Sequence, residues 1–479
     1  MEHSERSFRA IIVGSGITGL SMAHALECAG IDYIVLEKNN QAVPHAGAAF
    51  ILWPHITRIL DQFGCLDKFR EVSQPLRCEN RRGPNGKLIV QTKLSSYLER
   101  RKGFSFGYPT LSLDRRAVLD VLYTTLPNQS RVMTGKRVAS MQHTQDGVEV
   151  VLTDGSREKG DIIIGADGVY STCREYLWNH ANTRSLGTIT ITEKKAFRMS
   201  YKCLVGVSSP LPDLKPYEPH VCHNKGFTIL AYPLCDKICW GVSIRTDQEY
   251  PWPTKVRYNS QDIDTTAASL MSSAVTETLL FGELWHARIQ ATLVPLQEGI
   301  MEHWSSGRIV LVGDSAHKMT PDAGLGGGCG IEDAIVLTNL LKDEMEKKGV
   351  VQLDETQIEN CFLAYEDQRK DRVKILLKLS GRCTRQRSSG SLVQLLIGQL
   401  LLPLRQKFMW QAMSEIVAAG PSLTVSPCNG ARSGRSSNRS LGYMGTRQSK
   451  KERTNALNLL LAVPVLLVFT LIFMLSYYY

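Results

Sequence analysis

Residues 9–14, RAIIVG, form a short apolar run, and Gly19–Gly30 after it carries Leu20, Ala23, Leu26 and Cys28 at helical spacing. A second apolar run, DYIVLEK, ends in Glu37. The pattern predicts strand, turn, helix and strand within about thirty residues. Between Pro54 and Phe69, the residues Ile56, Ile59, Leu60 and Phe63 fall on one helical face, and RRAVLDVLYTTL from Arg115 repeats the helical period. Polarity then alternates across RVMTGKRVASMQHTQDGVEVVLTDG, which predicts a β-meander turning at Asp146-Gly147 and Asp154-Gly155. DIIIGADGVYSTCREYL returns to apolar strand, glycine turn and helix.

Further along, FRMSYKCLVGVS, GFTILAYPL and KICWGVSI alternate as strands with proline-bearing connections, and RIVLVGDSAH is another buried strand. The expected fold class is α/β: a Rossmann-like nucleotide-binding domain with an inserted antiparallel-sheet substrate domain, C-terminal helices and a transmembrane helix. The first part of the nucleotide domain, with the meander, is placed at 1–185. The inserted sheet is placed at 186–300, and the second part of the nucleotide domain, with the Gly-Asp motif and its helix, at 301–380. A helical region follows at 381–430 and a basic linker at 431–455.

Residues 456–475, ALNLLLAVPVLLVFTLIFML, carry no charge. About 20 apolar residues match the hydrocarbon core of a bilayer, and a core helix of that length rarely stays apolar all round. Lys450, Lys451 and Arg453 precede the run and Tyr477–Tyr479 follow it, as a cytosolic flank and an interfacial aromatic belt would. The expectation is a single-pass C-terminal anchor over 456–476, with the catalytic body cytosolic at the endoplasmic reticulum membrane.

Composition changes the picture in two respects. The formal charge is +10, but 431–453 contributes +6 of it, so the remaining 456 residues are nearly balanced and nucleic-acid binding loses its main support. Twelve cysteines without a CxxC pair indicate neither a zinc site nor a disulfide ladder, and no metal ligand set stands out.

The candidate chemistry lies in three motifs. In GSGITG, Gly14, Gly16 and Gly19 follow a strand and open a helix, which permits a tight turn and backbone approach to a pyrophosphate. Glu37, eighteen residues past Gly19, is placed to accept from ribose hydroxyls and disfavours a 2′-phosphate, so the resident nucleotide is FAD or NAD. LVGDSAHKMTPDAGLGGGCGIEDA, residues 311–334, decides between them. Asp314 at a strand end can accept from a ribityl hydroxyl, and the helix after the glycines can hold the electron-rich end of a reduced isoalloxazine. NAD has no part that requires such a site. The third motif, GADGVYSTCR, offers Asp167 and Arg174 and reads equally as an Asp-Gly turn beside a solvated arginine.

In order, GxGxxG, the helix start Leu113-Asp114-Arg115, GADG and GDSAH with its glycines resemble the single-component FAD-dependent aromatic hydroxylases and epoxidases over about residues 8–380. IVLEK, GAAFILWPHITRILDQFG, LSLDRRAVLDVLY and GDSAHKMTP are most similar to fungal membrane-associated monooxygenases that epoxidise prenyl chains in meroterpenoid and indole-diterpene biosynthesis. The resemblance implies that Glu37 binds the adenosine ribose, Ile51 lines the FAD, Arg115 reaches the cofactor and Asp314 holds the ribityl chain. It implies that the GADG segment with Asp167 serves FAD and, transiently, NADPH. Gly327 stands where relatives usually carry Ala, and Gly328 where Asn is common, which predicts a loosened flavin loop.

NADPH would reduce the flavin, and O₂ would supply the oxygen atom inserted into an electron-rich π-bond. The protein would supply position, shielding from water and a proton. No nucleophile elbow surrounds Ser315 and His317. Candidate catalytic residues come from the inserted sheet. Alternation puts Arg198 and Lys202 on one face, turned either to the flavin or to solvent, and Trp240 and Tyr232 are either pocket or core. The partners implied are O₂, a hydrophobic small-molecule substrate drawn from the membrane and other enzymes of the same pathway. Ring hydroxylation of a phenol, reduction of a prenyl double bond, or a scaffold that has lost its chemistry are the competing readings.

Overall fold

The computed structural model describes residues 7–43, 49–76, 78–93, 107–349, 352–388 and 413–425. Its first layer is a six-stranded sheet in the order Ser305–Ser306, Ile309–Leu311, Ile162–Gly165, Arg9–Val13, Asp32–Leu36 and Val132–Met133. All but Ser305–Ser306 run parallel. A parallel sheet is covered on both faces, so its central strands must be apolar throughout. Ala10, Ile11, Ile12 and Ile162 to Ile164 are accordingly all fully buried. The helix Ile17–Ala29 follows the first strand as the periodicity predicts, and it packs on the helix Gly326–Lys348 through Thr18 and Met22. Strands Val138–Thr144, Gly147–Leu152 and Arg157–Gly160 form the expected antiparallel meander.

The second layer is an eight-stranded sheet. Its order is His317–Lys318, Arg288–Ile300, Arg198–Ser208, Ile238–Pro251, Phe227–Pro233, His220–His223, Cys78–Arg82 and Leu88–Lys93. Neighbours are antiparallel except His220–His223 beside Cys78–Arg82. The last two strands arrive from residues 78–93, ahead of the segment where the sequence places this sheet. Their composition, CENRR and LIVQTK, carries too little alternation to announce them. One face of the sheet is covered by helices Ser260–Ala268 and Phe281–His286, which close a second core around Leu204, Trp240, Phe281 and Trp285. The other face, with Val207, Val221, Leu230, Tyr232 and Cys239, meets Ile51 of the strand Ala49–Leu52.

A 33-residue helix, Glu355–Arg387, ties the two layers together and runs unbroken through the 380/381 boundary drawn from sequence. It opens with reciprocal bonds between Asp354 and Gln357, both 2.8 Å. On its buried face Arg369 donates from Nε to Asp333 Oδ1 at 2.7 Å and from Nη1 to Glu332 Oε2 at 2.6 Å. Arg372 donates to Glu332 as well, at 2.5 and 2.7 Å. Glu332, Asp333 and Arg369 are 0–1% exposed. Burial opposes ionisation of the Glu332 carboxyl, but the Arg372 and Arg369 guanidiniums outweigh it and hold that group well below the ordinary carboxylate range.

The 431–455 linker and the 456–476 span lie outside the described residues. Among the described residues, no helix is long and apolar enough to cross a membrane.

Removing Arg369 would leave two buried carboxylates short of a partner. Arg369→Met is expected to lower unfolding free energy by about 3–5 kcal/mol, read from denaturant titration of the two-layer body.

Candidate active site

The cleft at the C-terminal ends of the parallel strands has a volume of about 570 Å³, and Gly14, Ser15, Gly16, Glu37, Arg115 and Asp167 line it. The three glycines of the first turn answer to different constraints. Gly14 has φ +103°, and a Cβ there would stand 2.7 Å from Ala166 O; at Gly19 it would stand 1.9 Å from Gly14 O. Protein packing alone requires both. Gly16 has an ordinary φ of −66°, and a Cβ there would meet nothing within 4 Å. No neighbour in the protein explains this glycine, whereas a group lying directly on the backbone does. Gly16 also caps the helix Ile17–Ala29 without any side-chain bond, so the first-turn N–H groups are available to an anion.

Glu37 is 7% exposed. Its Oε2 accepts from Ser15 N and Ser15 Oγ, both at 2.9 Å, and its Oε1 accepts from Asn39 N at 2.9 Å and Nδ2 at 2.7 Å. The carboxylate is thus held rigid at the strand end, where it suits a ribose diol and repels a phosphate.

Two places along the sheet from the strand Arg9–Val13, strand Ile309–Leu311 leads into the tight turn Gly313–Ser315. Gly313 sits at φ +61° with Thr18 Oγ1 only 2.5 Å from where a Cβ would be. Ser315 Oγ donates to carbonyls of the turn and of Gly165, and His317 Nε2 lies 2.7 Å from Asp333, so neither is arranged as a nucleophile and base. His317, Cys329 and Asp333 converge, but Arg369 already donates to the last two. Asp314 is half-buried and paired with Lys318. Burial pulls Arg115 below its ordinary value while Asp314 and Asp114 hold it up, which sets Arg115 and Asp314 in one electrostatic site.

The helix after the glycine run starts at Gly326, five residues earlier than the hydrophobic period suggests. Gly326, Gly327, Gly328 and Gly330 therefore lie inside a helix, where each costs about 1 kcal/mol relative to Ala. Packing explains three of them. A Cβ at Gly327 would stand 2.3 Å from Phe50 Cζ, one at Gly328 3.0 Å from Ile56, and one at Gly330 2.1 Å from Thr18 Oγ1. The expected loosening at Gly327 and Gly328 is therefore corrected: these glycines let the Ala49–Leu52 strand and the helix Pro54–Gln62 press onto the start of the helix Gly326–Lys348. Ile51 packs against Gly324, and Trp53 Nε1 donates to Gly324 O at 3.2 Å.

In the third motif, Asp167 accepts from Thr172 N at 2.7 Å and Cys173 N at 3.1 Å, fixing the start of the helix Thr172–Arg184. Arg174 is 1% exposed, not solvated; it donates to Ser315 O at 2.9 Å and Val169 O at 2.6 Å. Burial lowers it to about 10. It joins the third motif to the second, a role sequence alone left open.

Residues 7–378 match the FAD binding domain family. A FAD-dependent monooxygenase DEP2 of Alternaria brassicicola is 37% identical over 84% of this chain and 76% of its own. A FAD-dependent monooxygenase nvfK of Aspergillus novofumigatus is 32% identical over 89% and 90%. The chain belongs to the FAD-dependent monooxygenases. Among solved structures, Klebsiella pneumoniae HpxO complexed with FAD and uric acid superposes with a TM-score of 0.67 at 25% identity, covering 86% of this chain and 97% of that one. A salicylate hydroxylase substrate complex superposes at 0.63 and 18%, a likeness of fold. FAD is the cofactor of this family, and the open backbone at Gly16, the fixed Glu37 and the Asp314 turn fit its two halves.

For this monooxygenase the two catalytic candidates from the sheet need correction. Arg198 is 58% exposed at its side chain and pairs with Glu249 at 2.9 Å, on the solvent side. Trp240 is 2% exposed and lies in the outer core, where its Nε1 donates to Ser208 Oγ at 2.7 Å and its ring covers Gly206. Burial alternates through the register shift between Met199 and Tyr201, with Met199, Tyr201 and Cys203 buried and Arg198 on the opposite, solvent-facing side. Tyr232 lies on the opposite face of the sheet, the one that meets Ile51.

The glycines separate folding from cofactor binding. Gly16→Ala is expected to fold with unchanged thermal stability and lose bound FAD by tenfold or more, whereas Gly19→Ala loses the fold itself; flavin absorbance and circular dichroism on both variants check this.

Proposed function

We propose that this monooxygenase uses NADPH and O₂ to epoxidise a prenyl double bond of a hydrophobic secondary-metabolite intermediate, such as a meroterpenoid or a prenylated indole. The observation that supports the proposal is the apolar face of the second sheet, Val207, Val221, Leu230, Tyr232 and Cys239, packed against Ile51, which itself packs on Gly324 of the glycine turn. An alkene needs no base to be activated, whereas a phenol benefits from one.

Reduced FAD supplies the activation of O₂ and the transfer of one oxygen atom; the second atom leaves as water. Each part of the chain then has a task. Gly16 and the N-terminus of Ile17–Ala29 take the pyrophosphate, and Glu37 accepts from the ribose hydroxyls. Asp314 accepts from the ribityl chain with Arg115 beside it, and Asp167 keeps the Thr172–Arg184 helix, and so the cleft wall, in place. The uncapped N-terminus of Gly326–Lys348 stabilises negative charge on the reduced ring. Ile51 and the sheet wall exclude water, which shields the oxygen transfer.

The 456–476 segment is proposed to anchor the protein in the endoplasmic reticulum membrane with its body in the cytosol, near other enzymes of its pathway. A prenyl chain partitions into a bilayer at about 0.8 kcal/mol per buried CH₂, so an anchored enzyme meets it at high local concentration.

Incubating detergent-solubilised, full-length protein with NADPH, labelled O₂ and a panel of prenylated aromatics and indoles tests this. One labelled oxygen in an epoxide is the expected product. Ring-hydroxylated products alone, or saturated prenyl chains without label, would contradict it.

A further inference from the structure

The mouth of the cleft is cationic from two directions. Lys136 and Arg137 lead into the strand Val138–Thr144, while Lys255 and Arg257 follow the strand Ile238–Pro251 of the other sheet. The second segment is fixed in place. Trp252 meets Trp178 edge-on at 5.1 Å, its N–H donates to Phe197 O at 3.2 Å, and Lys255 pairs with Glu175 at 3.7 Å. Lys136 is engaged by Asp154 at 2.6 Å. Arg137 and Arg257 are exposed, and among the described residues neither has a carboxylate partner.

The resident cofactor meets buried groups, Glu37 among them, and those groups exclude an added phosphate from the ribose position. An exposed pair of guanidiniums suits a different ligand, one that arrives and departs in every turnover. Each solvent-exposed ion pair adds little affinity, but a convergent group of them raises the encounter rate of a polyanion and is screened by salt. Guanidinium forks also match phosphate oxygens in two-point geometry, which an ammonium cannot do.

We propose that Arg137 and Arg257, flanked by Lys136 and Lys255, dock the phosphates of the pyridine nucleotide that reduces the flavin. The site spans both layers, so the inserted sheet contributes to reductant binding as well as to the substrate wall. The inference rests on the NADPH dependence proposed above.

Anaerobic stopped-flow reduction of FAD-loaded, full-length protein by NADPH and by NADH tests it, at low and high salt, in the wild type, R137A, R257A and the double variant. The double variant is expected to raise the apparent Kd for NADPH about tenfold and to flatten its salt dependence, with bound FAD and the limiting reduction rate unchanged. Arg257→Lys is expected to recover part of the affinity. An unchanged Kd and salt dependence in the double variant overturns the proposal. So does loss of FAD in step with nucleotide affinity, which would assign the arginines to the resident cofactor. Wild-type protein reduced by neither nucleotide would overturn the reductant assignment itself and this site with it, a result distinct from intact reduction that ignores the two arginines.

Discussion

Two adjacent carboxylates that cannot reach water, Glu332 and Asp333, constrain everything near the cofactor turn. Arg372 and Arg369 from another helix hold Glu332 as an anion, and His317 with Arg369 does the same for Asp333. Asp333 also accepts from Gly313 N at 2.8 Å and faces His317 at 2.7 Å. The turn that carries Asp314, the helix Gly326–Lys348 and the long helix behind both are therefore one electrostatic unit. Glu332 extends it further, with His55 Nε2 at 3.3 Å, to the helix Pro54–Gln62 that follows the Ile51 strand. A buried network of this kind gives specificity of arrangement more than net stability, and a cofactor held by non-covalent contacts needs that arrangement fixed.

Glycine does two jobs in this molecule. At Gly14, Gly19, Gly313, Gly327 and Gly330 it makes room for the protein's own atoms, from a backbone carbonyl to the Phe50 ring. At Gly16 no protein atom comes within 4 Å of where a Cβ would stand, which leaves that backbone open to the cleft. The six glycines and prolyl turn around residue 320 thus do not mark a slack loop. They mark close approach of three elements, and the helical penalty of the run is offset by what the approach brings together.

Much of the fold was legible because its signals are local. The apolar strand 9–13, the helical spacing of 17–29 and Glu37 at the next strand end all lie within thirty residues, and the meander announces itself by its Asp-Gly turns. Of the residues expected from sequence to bind the cofactor, Gly14, Gly16, Glu37, Arg115 and Asp167 line one cleft, with Asp314 in electrostatic reach of Arg115. What could not be read depends on distance along the chain or on a single-residue slip. Arg369 pairs with Asp333 across 36 residues of sequence, and Arg174 with Ser315 across 141. Strands 78–82 and 88–93 find the sheet only because His220–His223 lies beside them. Alternation separates Arg198 from the buried Met199 and Tyr201, but which face of the sheet meets solvent, and whether the strand aromatic Trp240 is pocket or core, is decided by how distant elements pack.

Residues 311–334 and the first glycine turn would grip the two ends of one flavin molecule. Flavin absorbance of the purified, folded, full-length protein, with stoichiometry measured after release by denaturation, tests that most directly. Equimolar, non-covalently bound FAD is the expected result; a folded protein that is colourless and takes up no FAD when it is supplied in excess would contradict it.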